Sequence, residues 1–239
     1  MNHHASNASM IVSHKYRFIF LKTAKTAGTS IEIALSKSLG EQDIITQVSA
    51  PDEAIRRSLG YRGPQNYRVP LRQHSSVELA RAICLGRRKK FYNHMPAEEV
   101  RGMIGEETWS DYYKFCFERN PFDRVISLYF WCHKLEPRPT LAEFLEGPEI
   151  HLLTQRGINL YSDSAGNVCV NRVGRYESLS EDLEEIRLAV GLPESLQLPT
   201  AKAAHRTDRR HYSELIDYHC RKKIEAMFSR ELSLWNYQF

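Results

Sequence analysis

The feature that most constrains this chain is an apolar run that breaks into a glycine-bearing, hydroxyl-rich loop and resumes as an amphipathic helix. Tyr16-Arg17-Phe18-Ile19-Phe20-Leu21 has the length and composition of a buried strand. Lys22-Thr23-Ala24-Lys25-Thr26-Ala27-Gly28 reads as a loop, and Thr29–Leu35 as a helix with Ile31, Ala34 and Leu35 on one face. A strand, a loop and a helix in this order open a mononucleotide-binding unit. The first N–H groups of a helix are unpaired and its dipole favours negative charge there, so the loop is a ready anion site. Gly28 lets the backbone approach a ligand, Thr26, Thr29 and Ser30 supply hydroxyls, and Lys25 a full charge.

The loop is not the nucleotide-triphosphatase pattern G-x-x-x-x-G-K-[ST]. With Gly28 as the second glycine, Thr29 stands where the lysine should be and Thr23 where the first glycine should be. Thr29-x-x-Glu32 also reads as a capping box that needs no ligand. Capping leaves Lys25, Thr26 and the preceding strand unexplained.

A second strand, Tyr112–Phe117, runs into Glu118-Arg119-Asn120-Pro121-Phe122-Asp123-Arg124 and a helix over 121–134. Asn120 suits an N-cap and Pro121 a first helical residue. Arg119 then falls at the carboxyl end of a strand, where open α/β sheets bind ligands. Arg124 and Ser127, three residues apart, share a helix face. They suit a terminal phosphate; equally, Arg124 suits an ion pair with Asp123 or Glu118 while Ser127 packs.

Further helices are expected at 76–84, 97–104, 140–146, 180–190 and 213–228, and a third strand at 172–176. Residues 42–73 read as loop-rich with one short helix. Strands alternating with helices predict a parallel sheet covered on both faces, in a single domain over 1–239 with a flexible lead at 1–14. The net charge of +4 is too small to imply a polyanion partner. Basic clusters at 86–90, 205–211 and 221–223 lack the interleaved aromatics of a nucleic-acid surface, and that at 205–211 best suits gripping an anion. Five cysteines without C-x-x-C spacing suggest neither a disulfide framework nor a zinc site, and no stretch is apolar enough to span a bilayer. A cytoplasmic protein is expected, with no metal site.

The two loops together resemble the sulfotransferase superfamily, in the branch of Golgi carbohydrate sulfotransferases and their bacterial relatives. Phe20–Ile31 is similar to the family's 5′-phosphosulfate loop, with its K-T-x-G-T-S core. Phe115–Tyr129 is similar to its 3′-phosphate motif, of the form F-x-R-N-P-x-D-R-x-x-S-x-Y. Val173–Glu177 and the aromatic terminus Trp235–Phe239 also have counterparts. The resemblance implies an α/β, P-loop-type three-layer fold and a donor, 3′-phosphoadenosine 5′-phosphosulfate (PAPS). It implies that Lys25 contacts the bridging oxygen and 5′-phosphate, that Thr26, Ala27, Gly28, Thr29 and Ser30 hold the 5′-phosphate, and that Arg119 and Ser127 hold the 3′-phosphate. Sulfuryl transfer would be an in-line displacement onto a hydroxyl acceptor, a carbohydrate by analogy, with no metal required.

A general base is then needed, and histidine titrates nearest working pH. His94, 25 residues before Arg119, occupies the stretch where some members place it. His74 or an acidic residue are the alternatives. The acceptor site, expected within 42–90 and 140–165, carries no recognisable code. Two other functions fit a nucleotide-binding loop: a P-loop-type kinase, and a module that binds nucleotide without catalysis.

Overall fold

A computed structural model describes residues 10–71, 74–86, 88–199, 208 and 210–239, with the side chain of Ala82 excepted. Elements follow in the order β1 (Ile11–Ser13), β2 (Phe18–Phe20), α1 (Gly28–Leu35), β3 (Ile44–Ile45), α2 (Ala50–Ser58), α3 (Ser76–Leu85), α4 (Ala97–Ile104) and α5 (Glu106–Asp111). The second half contains β4 (Tyr113–Glu118), α6 (Pro121–Cys132), α7 (Leu141–Glu146), α8 (His151–Gln155), β5 (Arg172–Arg175), α9 (Leu179–Val190), α10 (Tyr212–Leu215), α11 (Tyr218–Met227) and α12 (Ser229–Trp235).

The strands form one sheet in the order β3-β1-β2-β4-β5. β2, β4 and β5 run parallel, with Phe20 opposite Phe115 and Cys116 opposite Val173. The expected parallel arrangement thus holds at the core of the sheet and is corrected at its other edge, where β1 pairs antiparallel with both β2 and β3. The physical reason is the connection: the residues from His14 to Arg17 can make a hairpin but not the crossover that a parallel neighbour requires. Asp43, fully buried, holds that turn by accepting from Ser13 Oγ at 2.9 Å, His14 N at 2.7 Å and Gly40 N at 2.8 Å.

The lead expected at 1–14 is therefore corrected at its end, because Met10–Ser13 are buried and Ile11–Ser13 are paired. Residues 1–9 of that lead lie outside the described residues, as do Arg87 of the 86–90 cluster and His205, Arg206, Thr207 and Arg209 of the 205–211 cluster.

Alternation along the strands builds two layers of core. Ile11, Phe18, Phe20, Phe115 and Phe117 point to one face and meet Ile31 and Leu35 of α1 and Leu183 and Ile186 of α9. Val12, Ile19 and Cys116 point to the other and meet Val100 of α4, Trp109 of α5 and Tyr161. Burial on both faces explains why β2 and β4 are near-continuous apolar runs. A further cluster joins Phe122, Val125 and Ile126 of α6 to Phe144, Leu153, Ile224 and Phe228. The single helix expected over 213–228 is two, because Asp217 accepts from Cys220 N at 2.8 Å and starts α11 anew.

Candidate functional site

Both motif loops leave the carboxyl ends of neighbouring parallel strands, β2 and β4. The chain after β2 is pinned on several sides. Leu21 N donates to Phe115 O at 2.9 Å and Ala24 N to Arg156 O at 2.9 Å. The Thr23 hydroxyl donates to Phe117 O, and Thr26 Oγ1 donates to Thr23 O at 3.2 Å. Thr26 thus commits its hydroxyl to the loop itself. Lys25 and Ala27 adopt φ of 65° and 60°, left-handed values that cost a non-glycine residue about 1–3 kcal/mol and persist only where surroundings enforce them.

Ala27 is the N-cap of α1, and no side chain caps the helix. The capping box read in Thr29-x-x-Glu32 does not form. Glu32 is fully buried and faces Arg56 Nη2 at 2.9 Å and Lys22 Nζ at 3.5 Å instead. Among the described residues no side chain makes a capping hydrogen bond at the start of α1.

Lys22 is a residue that sequence reasoning passed over. Its side chain lies across the helix start, with Nζ 2.9 Å from Thr29 Oγ1. A β-carbon on Gly28 would sit 2.6 Å from Lys22 Cγ, so the glycine is required by that crossing stem. A second lysine three residues before Lys25 was the visible signal, but nothing in the sequence said that it folds back. Lys25 itself is half-buried, with Nζ 5.4 Å from the centre of the Trp131 ring.

In the second loop Asn120 and Pro121 open α6 as expected, with Asn120 Oδ1 accepting from Phe122 N at 3.1 Å. Arg119 forks onto Asp123 Oδ2 through Nε at 2.8 Å and Nη2 at 2.6 Å, and its Nη1 reaches Lys25 O at 3.2 Å. Its guanidinium lies 4.0 Å from the centre of the Tyr176 ring. Arg119 therefore joins the two motif loops.

Arg124 goes the other way. It is fully buried, pairs with Glu118 at 2.9 Å and donates to the carbonyls of Ala24, Leu153 and Arg156. Of its two readings, the structure shows the ion pair. Ser127, one turn further along α6, is half-buried and Ser30 is buried, and the hydroxyl of neither makes a hydrogen bond among the described residues.

His94 is brought to the same place. It sits at a φ of 53°, and Nδ1 lies 2.6 Å from Lys22 O. A carbonyl only accepts, so Nδ1 carries the proton and Nε2 keeps its lone pair. Burial, together with the charges of Lys22, Arg156 and Arg124, holds the imidazole well below its usual pKa and hence neutral. His74 stands elsewhere: Nδ1 meets Pro70 O at 3.0 Å and Nε2 accepts from Lys89 N at 3.2 Å, so both ring nitrogens brace a loop.

Among the described residues no group of three or more His, Cys, Asp or Glu is placed to hold a metal ion, and no helix is long and apolar enough to cross a membrane. The five cysteines are free.

Comparison with known proteins adds three findings. An uncharacterized protein of Archaeoglobus fulgidus is 33% identical over 114 residues, which cover 46% of this chain and 93% of the relative. No solved structure gives a significant match. The model of the Sulfotransferase family (Sulfotransfer_2) matches residues 8–238, which takes in both motif loops, His94 and the whole sheet. Two motif loops on adjacent parallel strands are thus accompanied by a match along nearly the whole chain, and the chain belongs to the sulfotransferase family, in its carbohydrate sulfotransferase branch, whose members use PAPS.

Proposed function

We propose that this protein transfers the sulfuryl group of PAPS to a carbohydrate hydroxyl, with His94 as general base. The observation that carries this reading is the bond from His94 Nδ1 to Lys22 O. It ties the imidazole to the residue that opens the 5′-phosphosulfate loop and leaves Nε2 as an unprotonated acceptor.

In this reading the N–H groups of Gly28, Thr29 and Ser30 and the ammonium of Lys25 receive the 5′-phosphate. Charge that grows on the leaving phosphate oxygen is met by a fixed cation and a helix N-terminus, without calling on a metal. Thr26 and Ala27 contribute through backbone, since the Thr26 hydroxyl holds the loop. Arg119 and Ser127 hold the 3′-phosphate, which requires Arg119 to share its fork between that phosphate and Asp123. His94 Nε2 takes the proton of the acceptor hydroxyl.

A kinase reading has less support, because Thr29 occupies the lysine position of the triphosphate loop and its hydroxyl is engaged by Lys22. A non-catalytic binding module would have no use for a tautomer-fixed imidazole beside the loop. The test is calorimetric titration with 3′,5′-adenosine bisphosphate (PAP), with and without Mg²⁺, followed by a screen of carbohydrate acceptors with ³⁵S-labelled PAPS. Tight PAP binding indifferent to Mg²⁺, and label transferred to a sugar, are expected. Binding of ATP·Mg²⁺ in place of PAP would replace this reading with the kinase.

A further inference from the structure

Arg156 follows α8 and is held against the 5′-phosphosulfate loop by its own backbone. Its carbonyl accepts from Ala24 N at 2.9 Å and from Arg124 Nη2 at 3.1 Å. The next residue, Gly157, has no room for a β-carbon, which would lie 2.9 Å from Arg124 Nη2 and 2.7 Å from Leu153 O. The Arg156 backbone is therefore fixed relative to Ala24 and, through Arg124, to α6.

The side chain is treated differently from every other buried arginine around it. Arg56 is paired with Glu32, Arg119 with Asp123 and Arg124 with Glu118. The Arg156 guanidinium is half-buried and makes neither an ion pair nor a hydrogen bond among the described residues. Partial removal of a cation from water is unfavourable unless an anion compensates it. Burial lowers the affinity of Arg156 for its own proton, and its charge is among those that depress His94. Among the described residues its charge is therefore without a paired anion, and it acts on the His94 imidazole, where Lys22 and Arg124 are already engaged with partners.

We propose that Arg156 is a further catalytic residue, whose guanidinium holds the non-bridging oxygens of the sulfuryl group as it passes from donor to acceptor. This assignment rests on the PAPS reading of the loop. In the step, the bond from sulfur to the 5′-phosphate oxygen breaks and its electron pair stays on that oxygen, giving PAP. A new bond forms from the acceptor oxygen to sulfur, and the acceptor proton passes to His94 Nε2. The three oxygens of the moving group carry negative charge throughout, and a planar fork of N–H donors matches them better than a point charge does.

The sulfuryl group is the whole difference between PAPS and PAP, so paired binding measurements isolate the contact. Calorimetry of both ligands on the wild type, Arg156→Ala and Arg156→Lys is expected to show PAP affinity unchanged within about twofold. PAPS affinity should fall about 10- to 100-fold in Arg156→Ala, the range of one charged hydrogen-bonding partner, and less in Arg156→Lys. NMR titration of His94 should give a higher pKa in Arg156→Ala than in the wild type, since a facing cation is gone while Lys22 and Arg124 remain.

Equal losses for PAP and PAPS would assign Arg156 to the phosphates or to folding, and unchanged affinities for both would remove it from the site. Either result overturns the proposal while leaving the donor reading intact. Failure of the wild type to bind either ligand would overturn the donor reading and this assignment with it. Arg156→Lys keeps the aliphatic stem and the charge, so the comparison stands even where Arg156→Ala does not fold.

Discussion

His94 Nδ1 and the carbonyl oxygen of Lys22 lie 2.6 Å apart, across 72 residues of sequence. That single bond sets the tautomer of the imidazole and fastens the segment before α4 to the start of the loop that follows β2.

Replacing His94 with Ala is expected to lower kcat by about 10²- to 10⁴-fold, the span of general-base contributions. PAP affinity should stay within about twofold, because in the proposed mechanism the base serves the acceptor and not the phosphates. Turnover close to wild type in labelled transfer assays would remove His94 from this role.

The depressed pKa of His94 also links stability to pH. In the folded protein the imidazole stays neutral well below its usual 6.5, whereas in the unfolded chain it protonates near that value. Below pH 6.5 the unfolded state therefore binds the extra proton, and the contribution of His94 falls as pH falls, by up to about 1.4 kcal/mol per unit. Urea melts of the wild type and His94→Gln between pH 5 and 7.5 should show a steeper acid-side loss in the wild type.

Arg119→Ala removes a cation and the link from Asp123 to Lys25 O. PAP binding is expected to weaken by about 10- to 100-fold, the effect of one charge-assisted contact. An unaltered dissociation constant in calorimetry would place the 3′-phosphate elsewhere.

Gly28→Ala sets a β-carbon 2.6 Å from Lys22 Cγ, near the root of a buried side chain and not at its free end. Moving the stem would break the contact of Nζ with Thr29 and with Glu32. A loss of about 1–3 kcal/mol in denaturant unfolding is expected, together with weaker PAP binding.

Breaking the pair that replaces the expected capping box should be more severe. Arg56→Ala leaves the Glu32 carboxylate buried with only Lys22 near it, and burial already raises the affinity of that group for a proton. A loss of about 3–5 kcal/mol is expected in chemical unfolding, against much less for removing Glu53, the more exposed partner of Arg56.

What was readable from local pattern came through at β2, α1, β4 and α6. Their signals are short-range: apolar runs of strand length, Asn120 and Pro121 at a helix start, and two loops whose motifs lie in consecutive residues. β1 was hidden, because Ile11 and Val12 inside a polar lead have no periodicity of their own and become a strand, with Ser13, only by pairing with β2 and β3. Glu32 shows the same limit in a side chain. Its spacing from Thr29 suits a cap, yet burial of α1 on all sides turned it toward Arg56.

The amino-acid sequence by itself determined the α/β class, the two motif loops and the family, since each is written in contiguous residues whose conformational preferences act locally. Only the tertiary structure decided that Arg124 braces the core while Arg119 joins the two motif loops. It also decided that His74 is spent on a loop while His94 keeps a free lone pair, and that Lys22 and Arg156 crowd the same loop. Those outcomes depend on which partner lies within about 3 Å after folding, and that distance is set by packing across the sheet, not by neighbours along the chain.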